Sequence, residues 1–139
     1  KEPKSKNGIN WLKNYTMTSD YDIFPEMIIY SKELKIAGTI DILALDKVTN
    51  EYDLIDWKTS KKIERSAFGG KVGIKKATNN IPDCNYYHYT LQLSLYRYIL
   101  EKFYGLSIRN QLIAHLKDDY ARGIEVPYMR DEILKMLKT

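Results

Sequence analysis

The sequence predicts a mixed α/β domain, in which a small sheet is flanked by helices. Three observations lead to this class. Two apolar runs, at 36–45 and 52–57, are separated by a short polar turn, as in a strand hairpin. A later segment, 87–104, has helical spacing of its apolar residues and ends before Gly105. Beyond it lie two further short apolar runs and a last amphipathic segment.

The N-terminal part of the chain is predicted to enter the sheet through a short helix and one strand. Residues 1–8 are polar and are expected to be disordered, whereas 9–15 have the spacing of a short helix. A turn-rich link, 16–22, follows. Residues 24–30 are the first predicted strand, with Pro25 at its start, where a missing amide matters least. Together with the hairpin, this strand makes an antiparallel meander.

The hairpin brings three charged side chains to one place. Its polar turn centres the hairpin between Val48 and Thr49, which places Asp41 opposite Asp56. Asp56 and Lys58 are two residues apart, so they project from the same face of their strand. An ordinary ion pair between Asp41 and Lys58 is one explanation. The apolar flanks favour a site that binds a metal ion or a phosphate, because buried charges without partners are costly.

The second half of the chain is predicted to contain a loop, a helix, two strands and a final helix. Residues 61–85 show no regular period and contain several glycines, which indicates a long loop. The helix is predicted over 87–104. Strands are predicted at 110–117 and 121–126, and the last amphipathic helix at 129–137.

Size and composition are those of one globular domain, spanning 1–139. The chain can bury a substantial core, and its 44% hydrophobic and 29% charged residues are ordinary values. No apolar run approaches the roughly twenty residues that span a bilayer, and no signal peptide is visible at the start. The single cysteine, Cys84, fits a reducing compartment. We therefore expect an intracellular protein with no membrane partner. Because the chain does not begin with Met, it is also expected to be a fragment or a trimmed piece.

Positive charge is concentrated in the predicted loop. The net charge of +4 suggests a polyanionic partner, and seven basic side chains lie within the nineteen residues from Lys58 onward, opposed by Glu64 alone. A solvated loop is the alternative. A surface that follows phosphates is favoured, because the run begins at Lys58. The basic residues assigned to nucleic-acid binding are Lys61, Lys62, Arg65, Lys71, Lys75 and Lys76.

Three short motifs make the chain resemble the PD-(D/E)XK nuclease superfamily. In order, they are Gly38-x-x-Asp41, Asp56-x-Lys58 and a glutamine–tyrosine pair in the long predicted helix. The branch that they resemble most is the RecB-like one, which includes the mitochondrial genome maintenance exonuclease and the CRISPR-associated RecB-like nucleases. The similarity spans 26–96, about half of the chain. It implies a restriction-endonuclease-like core, in which helices flank a small mixed sheet.

The resemblance also implies roles for the matching residues. Asp41 and Asp56, with the backbone carbonyl of Trp57, would bind Mg²⁺ or Mn²⁺, which take oxygen ligands. Lys58 would orient the attacking water or hold the phosphate. Glu26 is a further candidate for the metal site. The alternative, which is equally favoured, is that Glu26 is an exposed glutamate at the edge of a strand. RecB-like members usually carry an upstream histidine, and this chain has none before Asp41, so the number of metal ions stays open.

The predicted helix at 87–104 would form a wall of the site. Gln92 and Tyr96 are four residues apart and share one face, which His88 extends. The resemblance implies that Gln92 and Tyr96 act at the site or on nucleic acid. The alternative is that Tyr96 belongs to the hydrophobic core and that the Gln92 side chain points outward. The apolar neighbours of Gln92 favour a half-buried position. His88 is expected to contact DNA. The tyrosines favoured for stacking on unpaired bases are Tyr86, Tyr87 and Tyr89.

The predicted function is therefore that of a divalent-metal-dependent deoxyribonuclease. An exonuclease or a single-strand-preferring enzyme is favoured, because no groove-reading helix is evident. The expected partner is DNA, as single strands or duplex ends, in repair or recombination. The enzyme is expected to act alone, as in a phage or virus, or within a larger DNA-processing protein or complex. It would act in the cytoplasm or nucleoid, or in the host cell if viral. Two alternatives are a catalytically silent domain that binds nucleic acid or protein, and an RNA endonuclease on the same fold.

Overall fold

A computed structural model describes residues 3–59 and 85–138, which form a five-stranded sheet with helices on both faces. The elements, in chain order, are α1 (Pro3–Thr16), β1 (Tyr21–Ser31), β2 (Ile36–Asp46), β3 (Glu51–Lys58), α2 (Asn85–Phe103), β4 (Ile108–Leu116), β5 (Ala121–Val126) and α3 (Arg130–Leu137). The strands lie side by side in chain order. Strands β3 and β4 are parallel, and the other neighbours are antiparallel. The predicted α/β class with a mixed sheet is confirmed.

The register of the β2–β3 hairpin is the one that its turn predicts. Ile42 pairs with Ile55 and Asp46 with Glu51, so the hairpin is centred between Val48 and Thr49. The ladder stops at Ile42 and Ile55, one pair before Asp41 and Asp56. Because side chains alternate along a strand, this register decides which charges meet on each face.

The beginning of the chain differs from the prediction. Residues 3–8, expected to be disordered, form the first part of α1. The cause is packing between distant residues: a Cβ on Gly8 would lie 3.2 Å from the Leu116 side chain, and a Cβ on Gly123 would lie 2.7 Å from the Trp11 ring. Glycines therefore let α1 approach β4 and β5 closely, and that contact holds a polar segment in a helix.

The other elements keep their predicted type, with boundaries that differ by a few residues. Strand β1 begins at Tyr21 and helix α2 at Asn85, both earlier than predicted. Helix α2 ends as predicted, because Gly105 adopts a left-handed conformation with φ +69 and the Leu106 N–H turns back to the Leu100 carbonyl at 3.1 Å. None of the described helices is long and apolar enough to cross a bilayer.

Apolar clusters cover both faces of the sheet. The larger lies under α2 and includes Ile40, Leu54 and Ile99. The smaller lies under α1 and includes Ile42 and Ile55. Because the central strands are covered on both sides, they are apolar along most of their length. A charged side chain on such a strand needs a specific partner.

One such partner is Arg109, beneath α1. Tyr52 pairs with Ile108 and Asp53 with Asn110, so Arg109 is the extra residue of a bulge in β4. Its guanidinium donates to both carboxylate oxygens of Asp53, at 2.8 and 3.2 Å. These hydrogen bonds are the first cause of a raised pKa of Arg109. The charge of Asp53, which is fully buried, is thus neutralised within the protein.

The cluster around Arg109 joins α1 to the strands. Arg109 also donates to Asp46 at 3.0 Å and to the Tyr21 hydroxyl at 3.0 Å, and the Tyr15 hydroxyl donates to Asp53. Hydrogen bonding, first from the Ser19 hydroxyl, lowers the pKa of Asp46. Side chains from α1, β1, β2, β3 and β4 therefore share one network of charges, and losing its only described cation would leave two buried carboxylates uncompensated.

Replacing this cation should weaken the fold strongly. We expect Arg109→Met to lower the free energy of unfolding by about 3–5 kcal/mol, because breaking a buried ion pair leaves its partner charged and unpaired. Urea denaturation measures the change. The exposed Arg122 on the adjacent strand is the matched control, and Arg122→Met should change stability by no more than about 0.5 kcal/mol. Equal effects of the two substitutions would contradict the structural role of Arg109.

Candidate active site

Asp41 and Asp56 lie side by side where the β2–β3 ladder ends. The backbone N–H of Trp57 donates to Oδ2 of Asp41 at 2.8 Å, which orients that carboxylate at the end of the ladder. The next pair in register after Ile42 and Ile55 is Asp41 with Asp56. The structure therefore brings together the two carboxylates that the sequence places opposite each other.

The surroundings of Asp56 disfavour the ionised form of its side chain. Burial, followed by a hydrogen bond with Asp41, raises the pKa of Asp56 to about 6, and Lys58 opposes this only in part. Nζ of Lys58 lies 3.0 Å from Oδ2 of Asp56. Apart from this ion pair, the buried Oδ2 accepts no hydrogen bond from the residues that the structure describes. A buried oxygen of this kind is a suitable ligand for a cation.

Lys58 lies on the same face of β3 as Asp56, as strand alternation predicts. Its Nζ is close to Asp56 on one side and 4.2 Å from the centre of the Tyr89 ring on another. The Lys58 side chain is 23% exposed and that of Asp56 14%. The ammonium group is thus held at the edge of the site, where a ligand from solvent can still reach it.

Glu26 faces Asp41 in register but does not take part in the ladder. Its two neighbours in β1 pair with Ile42 and Ile40, and Glu26 between them is left out. It is exposed and has a left-handed backbone with φ +52, which is uncommon for a residue with a side chain. Such an irregularity turns a side chain out of the normal alternation of the strand.

The described residues contain no cluster of three acidic, histidine or cysteine side chains that could hold a metal ion. Within the part of the chain from 3–59 and 85–138, the structure brings Asp41 and Asp56 together and does not bring Glu26 into a common group with them. Two carboxylates and the Trp57 carbonyl suit an ion such as Mg²⁺, which keeps several water ligands. The buried Oδ2 of Asp56, which has only the Lys58 ion pair among the described residues, fits such an ion.

One face of α2 passes the site and contacts it at two points. Tyr89, Gln92 and Tyr96 share this face, because they are spaced by three and four residues. The Tyr96 ring occupies the space over Gly38, where a Cβ would lie 2.5 Å from the ring. Gln92 is exposed and donates to the Tyr96 hydroxyl at 3.3 Å. The half-buried position expected for Gln92 is therefore wrong, since its apolar neighbours point to the other side of the helix.

The remaining predicted contacts with nucleic acid have different positions. Tyr86 is buried, with 7% of its surface exposed, so it offers no face for stacking on a base. Tyr87 is half-buried and meets Tyr86 edge-on, with ring centres 5.0 Å apart. His88 is exposed. The basic residues that lie outside the described part of the chain are Lys61, Lys62, Arg65, Lys71, Lys75 and Lys76.

Sequence reasoning missed two contacts that shape the site and its surroundings. Tyr89 contacts Lys58, although His88 was expected to extend the face of Gln92 and Tyr96. Tyr89 lies three residues before Gln92 and seven before Tyr96, and this helical spacing was the signal that could have placed Tyr89 on their face. The pairing of Asp53 with Arg109 left no such signal, because a bulge in β4 decides it.

The fold defines the broad class of the chain, an α/β protein with a mixed five-stranded sheet in its described residues. No family model and no curated protein matches the sequence. A solved structure of a candidate exonuclease from Eubacterium rectale is similar, with a TM-score of 0.51 and 17% identity. The match covers 97% of this chain and 49% of that protein, so the chain spans about half of its length. At this identity, the likeness shows a shared fold.

The raised pKa of Asp56 predicts how the stability of the fold depends on pH. The carboxyl group of Asp56 binds its proton more tightly in the folded protein than in the unfolded chain. The stability of the fold therefore falls as pH rises from about 4 to about 6 and stays lower above that range. Asp56→Asn removes the penalty. In metal-free buffer near pH 7.5, we expect it to raise the free energy of unfolding by about 2–3 kcal/mol, with little effect near pH 4. Urea denaturation at the two pH values measures this.

Asp53→Asn is the matched control, because Asp53 lies on the same strand but is paired with Arg109. It should lower the free energy of unfolding by about 3–5 kcal/mol at neutral pH. The two substitutions are chemically identical, so the opposite signs isolate the effect of the partner. If Asp56→Asn has a lower free energy of unfolding than the wild type at neutral pH, the conclusion that the charge of Asp56 destabilises the fold is wrong.

The close approach of Tyr96 to Gly38 makes a second prediction. Gly38→Ala should lower the free energy of unfolding by about 1–3 kcal/mol, because the new methyl group displaces the ring. Adding Gly38→Ala to Tyr96→Ala should cost almost nothing, since the ring is absent. Thermal and urea unfolding of both single variants and the double variant measure the coupling. Additive losses would show that Gly38 is needed for a reason other than Tyr96.

Proposed function

We propose that this chain is a divalent-metal-dependent nuclease that hydrolyses phosphodiester bonds. The observation that carries the proposal is the meeting of the Asp41 and Asp56 carboxylates beside Lys58, where the buried Oδ2 of Asp56 has the Lys58 ion pair as its one partner among the described residues. The fold shared with a candidate exonuclease supports it. The order of the three sequence motifs supports, at a finer level, membership of the RecB-like branch of the PD-(D/E)XK nucleases.

Asp41, Asp56 and the Trp57 carbonyl would hold Mg²⁺ or Mn²⁺ in this proposal. A bound ion would polarise the phosphate and lower the pKa of a coordinated water. The protein supplies the positions of the ligands: the Trp57 N–H orients Asp41, and the β2–β3 register sets Asp56 beside it. Glu26 stays a further candidate ligand, opposite Asp41 in register, and would need to turn its exposed side chain toward the pair.

Lys58 would supply a positive charge to the reacting phosphate. It lies within ion-pair distance of Asp56 and remains part-exposed, so a substrate oxygen can approach its ammonium group. A preorganised charge is worth more in a partly buried site than in water. Gln92 and Tyr96 would line the site on the side of Asp41, with the exposed Gln92 amide available to the substrate.

DNA is the substrate that we infer, as single strands or duplex ends. The basic residues that follow Lys58 in the sequence suit a phosphate backbone, and His88 and Tyr87 at the start of α2 would extend that surface. RNA is the second candidate, since the site chemistry acts on the phosphodiester group that both share. A silent binding domain is less favoured, because such a domain would gain stability by losing the charge of Asp56.

A cleavage assay tests the proposal. End-labelled single-stranded DNA, duplex DNA and RNA are incubated with the protein in Mg²⁺, Mn²⁺ or EDTA. We expect cleavage that requires the metal and prefers DNA, with Asp56→Asn and Lys58→Ala each slower by about 100-fold or more. The substitution Asp119→Asn, in an exposed turn, is the control and should keep the wild-type rate.

The outcomes separate the activity from the site. No metal-dependent cleavage of any of the three substrates would refute the nuclease proposal. Cleavage that persists in both Asp56→Asn and Lys58→Ala would refute this site while leaving the activity. Calorimetric titration with Mn²⁺ adds a readout without substrate: wild-type protein should bind the ion, and Asp56→Asn should bind it at least about 10-fold more weakly.

A further inference from the structure

The ammonium group of Lys58 contacts the Tyr89 ring as well as Asp56. The Nζ of Lys58 lies 4.2 Å from the centre of the Tyr89 ring, well within the range of a cation–π interaction. The same Nζ is 3.0 Å from Oδ2 of Asp56. Two groups of different chemistry, one charged and one neutral, therefore restrain a single lysine.

Lys58 needs such restraint more than its neighbours do. It is the last residue of β3, and its long side chain has many rotamers that must be ordered before the charge can act at a fixed point. The ring of Tyr89 is well placed for this, because it is half-buried and packs against the core under α2. The position of the ring is thus set by the fold rather than by the site.

The two restraints would respond differently to a metal ion. The proposed ion takes Oδ2 of Asp56 as a ligand, which weakens the hold of that oxygen on Lys58. The Tyr89 ring carries no charge and is not a ligand, so its contact with Lys58 would remain. A neutral ring also leaves the positive charge of the ammonium group uncancelled, and that charge is what a phosphate requires.

We propose that Tyr89 is a positioning residue, which keeps Lys58 directed at the reacting phosphate when Asp56 binds the metal. The inference rests on the proposed function and adds a residue that none of the three sequence motifs contains. It also gives Tyr89 a role other than stacking on a base. The ring face turned toward Lys58 is occupied by the ammonium group.

Kinetics of matched variants test this role. Tyr89→Leu should lower kcat by about 10-fold and change KM by less than about 2-fold, because a misplaced charge affects the reaction more than binding. Tyr89→Phe keeps the ring and should retain at least about half of kcat. Tyr104→Leu, at an exposed position just beyond the C-terminal end of α2, is the control for loss of an aromatic side chain.

A double-variant cycle separates positioning from a structural effect. If Tyr89 acts through Lys58, adding Tyr89→Leu to Lys58→Ala should produce no further loss of rate, measured in single turnovers with excess enzyme. An equal loss in both backgrounds would overturn the proposal. So would a Tyr89→Phe variant as slow as Tyr89→Leu. Similar melting temperatures for the compared variants ensure that unfolding does not explain the rates.

Nuclear magnetic resonance gives a readout that does not depend on cleavage. The ring current of Tyr89 should shift the Lys58 Hε protons upfield, and the shift should persist when Mg²⁺ is added and vanish in Tyr89→Leu. Loss of the shift on Mg²⁺ addition would overturn the proposal, even in an active enzyme. Failure of the proposed function is seen differently, as an absence of cleavage by the wild-type protein.

Discussion

The burial of a carboxylate on β3, a strand covered on both faces, is the constraint on which the site depends. Asp56 is placed there by the β2–β3 register, and burial raises its pKa to about 6. Among the described residues, the Lys58 ammonium group is the one partner of Oδ2, at 3.0 Å, and Asp41 adds a second carboxylate beside it. A fold that retains this charge bears a cost in stability, which binding of an external cation would offset.

Strand β3 carries two aspartates in different surroundings, the fully buried Asp53 and the partly buried Asp56. Asp53 points toward α1 and is neutralised by Arg109 and the Tyr15 hydroxyl. Asp56 points toward α2 and shares its surroundings with a second acid and one part-exposed lysine. The strand and the type of side chain are the same, so the difference lies in the partners and in the deeper burial of Asp53. On one face of the sheet the charge is neutralised within the fold, whereas on the other two carboxylates share one part-exposed lysine.

A single contact explains two of the short motifs. The glycine of Gly38-x-x-Asp41 leaves room for the Tyr96 ring, and Gln92 binds the hydroxyl of the same ring. The glycine and the glutamine–tyrosine pair therefore meet at one contact between β2 and α2. The motif residues Asp56 and Lys58 lie on β3, where Tyr89 of the same helix face meets Lys58.

Local patterns in the sequence determined the strands, the long helix, the hairpin register and the meeting of Asp41, Asp56 and Lys58, because alternation and turn position are properties of neighbouring residues. Only the tertiary structure decided the length of α1, the pairing of Arg109 with Asp53, the exclusion of Glu26 from the β1–β2 ladder and the contact of Tyr89 with Lys58. Each of these depends on a bulge, on a left-handed backbone at Glu26 or on a close approach between residues far apart in the chain, and none of these leaves a period in the sequence.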